Sequence, residues 1–150
     1  MALRCIIRKG RHNDLPSIVG LLKVLFSLER DFTVDELKQH KGLEMILEND
    51  DSSCIIVAEI NKQVVGMCTA QLLISTAEGG PVAVIEDVVV EEAYRRMGIG
   101  KGLLLAIESW AAEKGVKRLQ LLADRNNIPA LKFYDKMGWN NTRLICLHKK

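Results

Sequence analysis

One junction constrains this chain more than any other feature. The β-branched run Val88-Val89-Val90 passes through Glu91-Glu92-Ala93-Tyr94 into Arg95-Arg96-Met97-Gly98-Ile99-Gly100-Lys101, and then into a Leu-rich stretch with helical spacing. A strand that enters a helix through two glycines aims a row of backbone N–H groups at one point. The first turn of a helix leaves those groups unpaired, and the aligned peptide dipoles place roughly +0.5 charge there. A phosphate group answers both. Gly98 and Gly100 let oxygens approach without a Cβ in the way and permit φ > 0 where the chain turns. Arg95, Arg96 and Lys101 add positive charge, and arginine grips phosphate oxygens as a fork. The same spacing also suits a plain glycine-rich turn with solvated basic residues. Two better-known phosphate motifs are excluded by particular residues. The dinucleotide fingerprint needs a third glycine, and a P-loop needs Ser or Thr after Gly-Lys, where this chain has Gly102.

A chain of 150 residues with 48% apolar and 27% charged residues is expected to fold as one domain, 1–150, around a sizeable core. A net charge of +2 without a long basic run gives no footing for nucleic acid. Four cysteines, at 5, 54, 68 and 146, include no closely spaced pair, so neither a zinc knuckle nor a redox Cys-x-x-Cys is present. Most lie in apolar strand-like runs, where cysteine acts as a small hydrophobe, and a reducing cytoplasmic setting is expected. Met1 to Lys9 is too short and too charged for a secretion signal, and no apolar run is long enough to span a membrane. His12, His40 and His148 share no ligand spacing, so no metal is expected.

Leu3 to Arg8 reads as a first strand. Asp14 caps a helix carrying Leu15, Ile18, Val19, Leu22, Leu25 and Phe26 on one stripe. Thr33 with Glu36 forms a capping box for a second helix through Leu37, Leu43, Ile46 and Leu47, with a break near Gly42. Cys54–Ile60 and Val64–Ile74 are strands joined by an Asn61-Lys62 hairpin turn, and Val82–Val90 is a long strand. A helix over Ile99–Lys114 ends at Gly115, a strand covers Val116–Leu122, Asn127 caps a last helix ended by Gly138, and Thr142–Leu147 is a last strand. The order predicts an α/β (α+β) sheet with helices on both faces.

A second segment, Asn127-Ile-Pro-Ala130-Leu-Lys-Phe133-Tyr134-Asp-Lys136-Met-Gly138-Trp139, stands downstream of the glycine loop. With Arg95-x-x-Gly98-x-Gly100 it resembles the two signatures of the GNAT superfamily, the acetyl-CoA-dependent N-acetyltransferases, with Trp139 in place of the usual aromatic. The resemblance is close over the C-terminal half and covers the first half only in element order. It implies a mixed, mostly antiparallel sheet whose central strand splays, so that Val88, Val89 and Val90 offer backbone groups to a pantetheine arm. It implies that Arg95 to Lys101 hold the pyrophosphate of acetyl-CoA, that Asn127 touches the pantetheine, that Phe133 and Lys136 lie along the coenzyme, and that Tyr134 sits near the thioester sulfur. Homodimers are usual among the proteins it resembles.

Acetyl transfer to an amine poses two proton problems. An alkylamine with a pKa near 10.4 is only about 0.05% neutral at pH 7, so exposing its lone pair costs about 4–5 kcal/mol without a base. The departing thiolate needs a proton, and a phenol such as Tyr134 is protonated at pH 7. The same tyrosine shares a helix face with Ala130 and Met137 and suits a core role equally. For the base, Glu86 and its runner-up Asp87 stand inside a Val/Ile run where an unpaired carboxylate is costly. Strict alternation places Glu86, Val88 and Val90 on one face, and Ile85, Asp87 and Val89 on the other. Edge-facing acids with local partners account for the pair as well. Ile85 to Val90 also resembles the glucosamine-phosphate branch of the superfamily. Glu29, Asp31, Asp35 and Glu36 form an acidic group between the first two helices, fit either to attract an amine or to cap and solvate helix ends.

The expected function is direct acetyl transfer from acetyl-CoA to a primary amine, a small molecule before a protein N-terminus or lysine. A non-catalytic acyl-CoA sensor and a phosphate-binding regulatory domain use the same loop without transfer.

Overall fold

The computed structural model describes residues 4–28 and 33–150. Glu29 and Asp31 of the acidic group lie outside them. The described residues form two compact units, one up to Gln120 and one over Leu121–Lys150.

In the first unit, strands β1 (Cys5–Lys9), β2 (Ser53–Ile60), β3 (Gln63–Ser75) and β4 (Gly80–Val90) pair antiparallel in sequence order, and β5 (Leu119–Leu121), whose first two residues end that unit, follows β4 at the edge. Just before β5 the Lys117 N–H donates to Pro81 O at 2.9 Å and the Ala83 N–H to Arg118 O at 3.0 Å. Those bonds ascend both segments together, as in a parallel pair. The hairpin at Asn61 and Lys62 has φ of 50° and 63°, the two positive angles of a type I′ turn, which matches the twist of the flanking strands.

Helices α1 (Leu15–Leu28) and α2 (Glu36–Glu48) cover one sheet face. Their Leu15, Ile18, Leu22 and Leu43 are buried with Ile55, Val57, Met67 and Val89 from the strands. Each fully buried aliphatic chain contributes roughly 1.5–3 kcal/mol. Helix α3 (Ile99–Glu113) covers the other face through Leu103, Leu104, Ile107, Trp110 and Ala111. It comes close because β3 carries Gly66 there: a Cβ at 66 would sit 3.3 Å from Ile99 and Leu103 side chains. Cys68 faces the same helix, its thiol donating to Leu103 O at 3.8 Å. Cys54 and Cys68 are buried free thiols, and burial pushes the Cys54 thiol up to about 12, so both behave as small hydrophobes.

Local caps depart from the expected ones in two places, and one expected helix break is absent. Asp14 ends a short 3₁₀ turn, where it accepts from the Arg11 N–H at 2.7 Å and pairs with Arg8 at 2.8 and 2.9 Å. Asp35, not Thr33, caps α2 by accepting from the Lys38 N–H at 3.2 Å. α2 runs unbroken through Gly42. Its inward face also differs, for Leu37 is 85% exposed while Gln39, one turn before Leu43, is buried.

The second unit holds α4 (Ile128–Lys136). Asn127 caps it by accepting from the Ala130 N–H at 3.2 Å, with Pro129 in the first turn. At the other end Gly138 has φ of 91°, its N–H donates to Asp135 O, and the Trp139 N–H reaches back to Tyr134 O at 3.0 Å. This is the Schellman closure, which also sets the residue after the glycine against the last turn. Thr142–Leu147 is not a strand: it alternates suitably, but no ladder bond joins it within its own unit.

Candidate active site

The loop between β4 and α3 is built as its residues dictate. β4 ends at Val90, a 3₁₀ turn covers Glu92–Tyr94, and the chain enters α3 at Ile99. Arg96 and Gly98 take φ of 64° and 79°, two left-handed residues that turn the backbone sharply. Gly98 is the N-cap, so no side chain covers the helix end. Among the described residues, the backbone N–H groups of Arg96, Met97, Gly98, Ile99, Gly100 and Lys101 find no backbone acceptor. The Arg95 Nε–H donates to Val90 O at 3.0 Å and so pins the loop to the strand end. Among the described residues, Arg95, Arg96 and Lys101 form no ion pair. Unspent N–H groups, a helix N-terminus and exposed cations together make an anion cradle of the kind a pyrophosphate fills.

Four residues before Val90, β4 carries the candidate bases, and here strict alternation fails. The register with β3 passes from Met67↔Val89 to Thr69↔Glu86, which leaves Asp87 and Val88 opposite Cys68 alone. This is a β-bulge with one extra residue on β4. Asp87 holds φ of 55°, a left-handed conformation that aspartate tolerates better than most residues. The Thr69 hydroxyl, 1% exposed, donates to Glu86 O at 3.0 Å and fixes the bulge. The bulge regroups the faces: Glu86 shares its face with Val89, not with Val88 and Val90, because cross-strand partners share a face. That face turns toward α1 and α2. Glu86 is exposed rather than embedded in the apolar run, since the bulge carries it to the rim of a cavity.

The cavity, about 420 Å³, lies between the inner face of α2, the end of α1 and strands β3 and β4. Leu22, Phe26, Leu43 and Ile46 supply its apolar wall, and Gln39, Gln71, Glu86 and Asp87 its polar one. That volume is within the ordinary range for small-molecule sites. Asp35 and Glu36 follow the capping and solvated-face reading: Asp35 caps α2, and Glu36 meets Lys23 at 3.5 Å in the open. Gln39 and Thr69 were not legible as site residues. The available signal for Gln39 was a polar residue four before Leu43, where the inward stripe calls for an aliphatic.

In the second unit, Tyr134 on α4 has Phe133 at 5.3 Å between ring centroids and Trp139 edge-on at 6.3 Å. The Asn127 carboxamide oxygen is engaged in the helix cap. Lys136 lies in the last turn of the helix.

The acetyltransferase (GNAT) family matches residues 22–139. The aminoglycoside N(6')-acetyltransferase type 1 of Salmonella typhimurium is 23% identical over 71% of this chain and 75% of its own length. The L-ornithine N5-acetyltransferase NATA1 of Arabidopsis thaliana is 43% identical over 54 residues, which is 36% of this chain and 24% of that longer protein. The solved structure of aminoglycoside N-acetyltransferase AAC(6')-Iy in complex with CoA superposes with a TM-score of 0.86 at 21% identity, covering 100% of this chain and 97% of its own, a likeness of fold. The sheet order, the glycine loop and the family match lead to one statement: the chain belongs to the acetyltransferase (GNAT) family, with acetyl-CoA as co-substrate and N-acetyl transfer as its reaction class.

Proposed function

We propose that the protein, acting as one acetyltransferase domain, acetylates the primary amine of a small molecule by direct attack on acetyl-CoA. The observation that carries the acceptor half is the cavity at the β4 bulge, with two carboxylates at its rim and an apolar wall opposite. The cavity, about 420 Å³, has the size of a small-molecule site. The names of the relatives point the same way, since aminoglycosides and ornithine are small amines.

Acetyl-CoA supplies the activated acetyl group. In this reading the Arg96–Lys101 amides and the Arg95, Arg96 and Lys101 cations hold its pyrophosphate. Backbone groups of Val88, Val89 and Val90 orient the pantetheine, and Asn127, Phe133 and Lys136 lie along the coenzyme. Glu86, with Asp87 as alternative, takes a proton from the acceptor ammonium through water, and the Tyr134 hydroxyl donates to the departing thiolate. Across the bulge Glu86 to Val90 spans the length of Thr69 to Gly66, roughly 10 Å, so the acids and the loop address opposite ends of one reacting complex.

Two measurements test this. Thiol release from acetyl-CoA across a panel of small amines is expected to be amine-dependent, and Glu86→Gln is expected to lower it at least tenfold at neutral pH. Tight CoA binding with no release for any amine would support a sensor instead. Gly98→Ala forces a Cβ into a left-handed position at about 1–2 kcal/mol. Titration calorimetry should therefore find CoA bound about tenfold more weakly, and unchanged affinity would remove the loop as the pyrophosphate site.

A further inference from the structure

The cavity at the β4 bulge contains one group that neither the fold nor the reaction class requires. Gln39 is 8% exposed, lines the cavity, and has no hydrogen-bond partner for either its amide nitrogen or its amide oxygen. It occupies the inward stripe of α2, one turn before Leu43, where an aliphatic chain would pack without loss. An unpartnered buried amide is disfavoured relative to an apolar chain of the same shape. Both of its functions are unmet at once, which restricts what can satisfy it. An ammonium donates only, a carboxylate or phosphate accepts only, and a hydroxyl does both. The charge of the lining adds a second restriction. Glu86 and Asp87 are acidic, and among the described residues no lysine or arginine lines the cavity. An acceptor with a carboxylate or phosphate would bring its anion toward two acids, with no cation among the described lining residues to receive it.

We infer that the acceptor is a hydroxylated amine without an acidic substituent, an amino alcohol or unphosphorylated amino sugar, and that Gln39 is the specificity-determining residue that reads its hydroxyl. This rests on the transferase reading above and gives that reading a substrate class. The ammonium lies at the Glu86–Asp87 end, the ring or chain lies against Leu22 and Leu43, and the Gln39 carboxamide exchanges two hydrogen bonds with a hydroxyl remote from the reacting nitrogen. The glucosamine-phosphate hint in the sequence is thereby set aside on the side of the phosphate, not of the sugar.

The test uses the full chain, acetyl-CoA and matched amines: cyclohexylamine against trans-4-aminocyclohexanol, and glucosamine against glucosamine 6-phosphate. The hydroxylated member of the first pair is expected to have a kcat/KM about tenfold higher. The phosphorylated member of the second is expected to be the poorer substrate. Gln39→Leu should erase the first preference and leave the acetyl-CoA KM within about twofold. Its Tm should be unchanged or higher, since an unmet amide is replaced by an aliphatic chain of similar size. An equal loss for both amines, or a lowered Tm, would show a structural role and overturn the inference, as would preference for the phosphorylated sugar. Gln39→Met provides a second apolar variant with the same expected pattern. If no amine releases thiol, the transferase reading fails separately. Calorimetric titration of the same amines into CoA-saturated protein then reads Gln39 alone. Weaker binding of only the hydroxylated amines in Gln39→Leu supports the inference, and equal binding or none overturns it.

Discussion

Tyr134→Phe is expected to lower kcat about a hundredfold, the lower range for removing a positioned proton donor, while the Kd for CoA stays within about twofold. The substitution isolates the hydroxyl. Phe133 at 5.3 Å and Trp139 at 6.3 Å contact the ring, and a phenylalanine keeps that ring in place. The backbone below it is fixed independently, because the Trp139 N–H bonds to Tyr134 O and Gly138 closes the helix. A thiolate leaving without a proton is the step that should slow. Acceptors should therefore all be affected alike, and the acetyl-CoA KM should move little. Stopped-time thiol assays with saturating acetyl-CoA read kcat, and calorimetry reads Kd. Turnover within twofold of the parent would remove Tyr134 as the acid.

Asp14→Ala should lower the unfolding free energy by about 3 kcal/mol, the loss found when one member of a largely buried ion pair is removed. Asp14 receives both Arg8 guanidinium nitrogens, at 2.8 and 2.9 Å, and the Arg11 N–H at 2.7 Å. It ties β1 to the start of α1, the helix that forms one wall of the cavity beside Glu86. Without it, Arg8 retains Glu59 at 3.5 Å and a bond to Lys9 O at 3.0 Å, and a buried Arg8 Nε already lacks a partner. The Arg8 guanidinium, followed by the Arg11 N–H, holds the Asp14 carboxyl below the usual carboxylate range. A depressed folded-state pKa contributes stability that is fully present above the unfolded value near 3.9 and is lost as pH falls through the folded value. Urea midpoints should thus fall below about pH 4 in the parent, and Asp14→Ala should lack that part of the acid limb. Equal midpoints for the two proteins at pH 7 would contradict this.

Much of the molecule could be read from neighbours in sequence. The hairpin at Asn61-Lys62, the Gly98 turn, the Asn127 cap and the Gly138 stop depend on φ preferences and on partners three or four residues away, and each stands where the sequence puts it. The helix stripes of α1 and α3 follow from apolar spacing for the same reason. Thr142–Leu147 was misread because alternation supplies a strand's faces but not its ladder partner. The inward face of α2 was misread because Leu37 attracted the stripe, whereas packing against the strands selected Gln39.

By itself, then, the sequence determined the glycine-rich turn over Arg95–Lys101, the second signature around Tyr134 and the family that both imply, because these are local patterns of glycines, charges and caps. Only the tertiary structure decided the cavity beside Glu86. The extra residue on β4 cannot be seen along one strand, since a bulge exists only in the register between two, from Met67↔Val89 to Thr69↔Glu86. That single offset moved Glu86 to the face with Val89 and brought it to the cavity that Gln39 lines from a helix nearly fifty residues away in the chain.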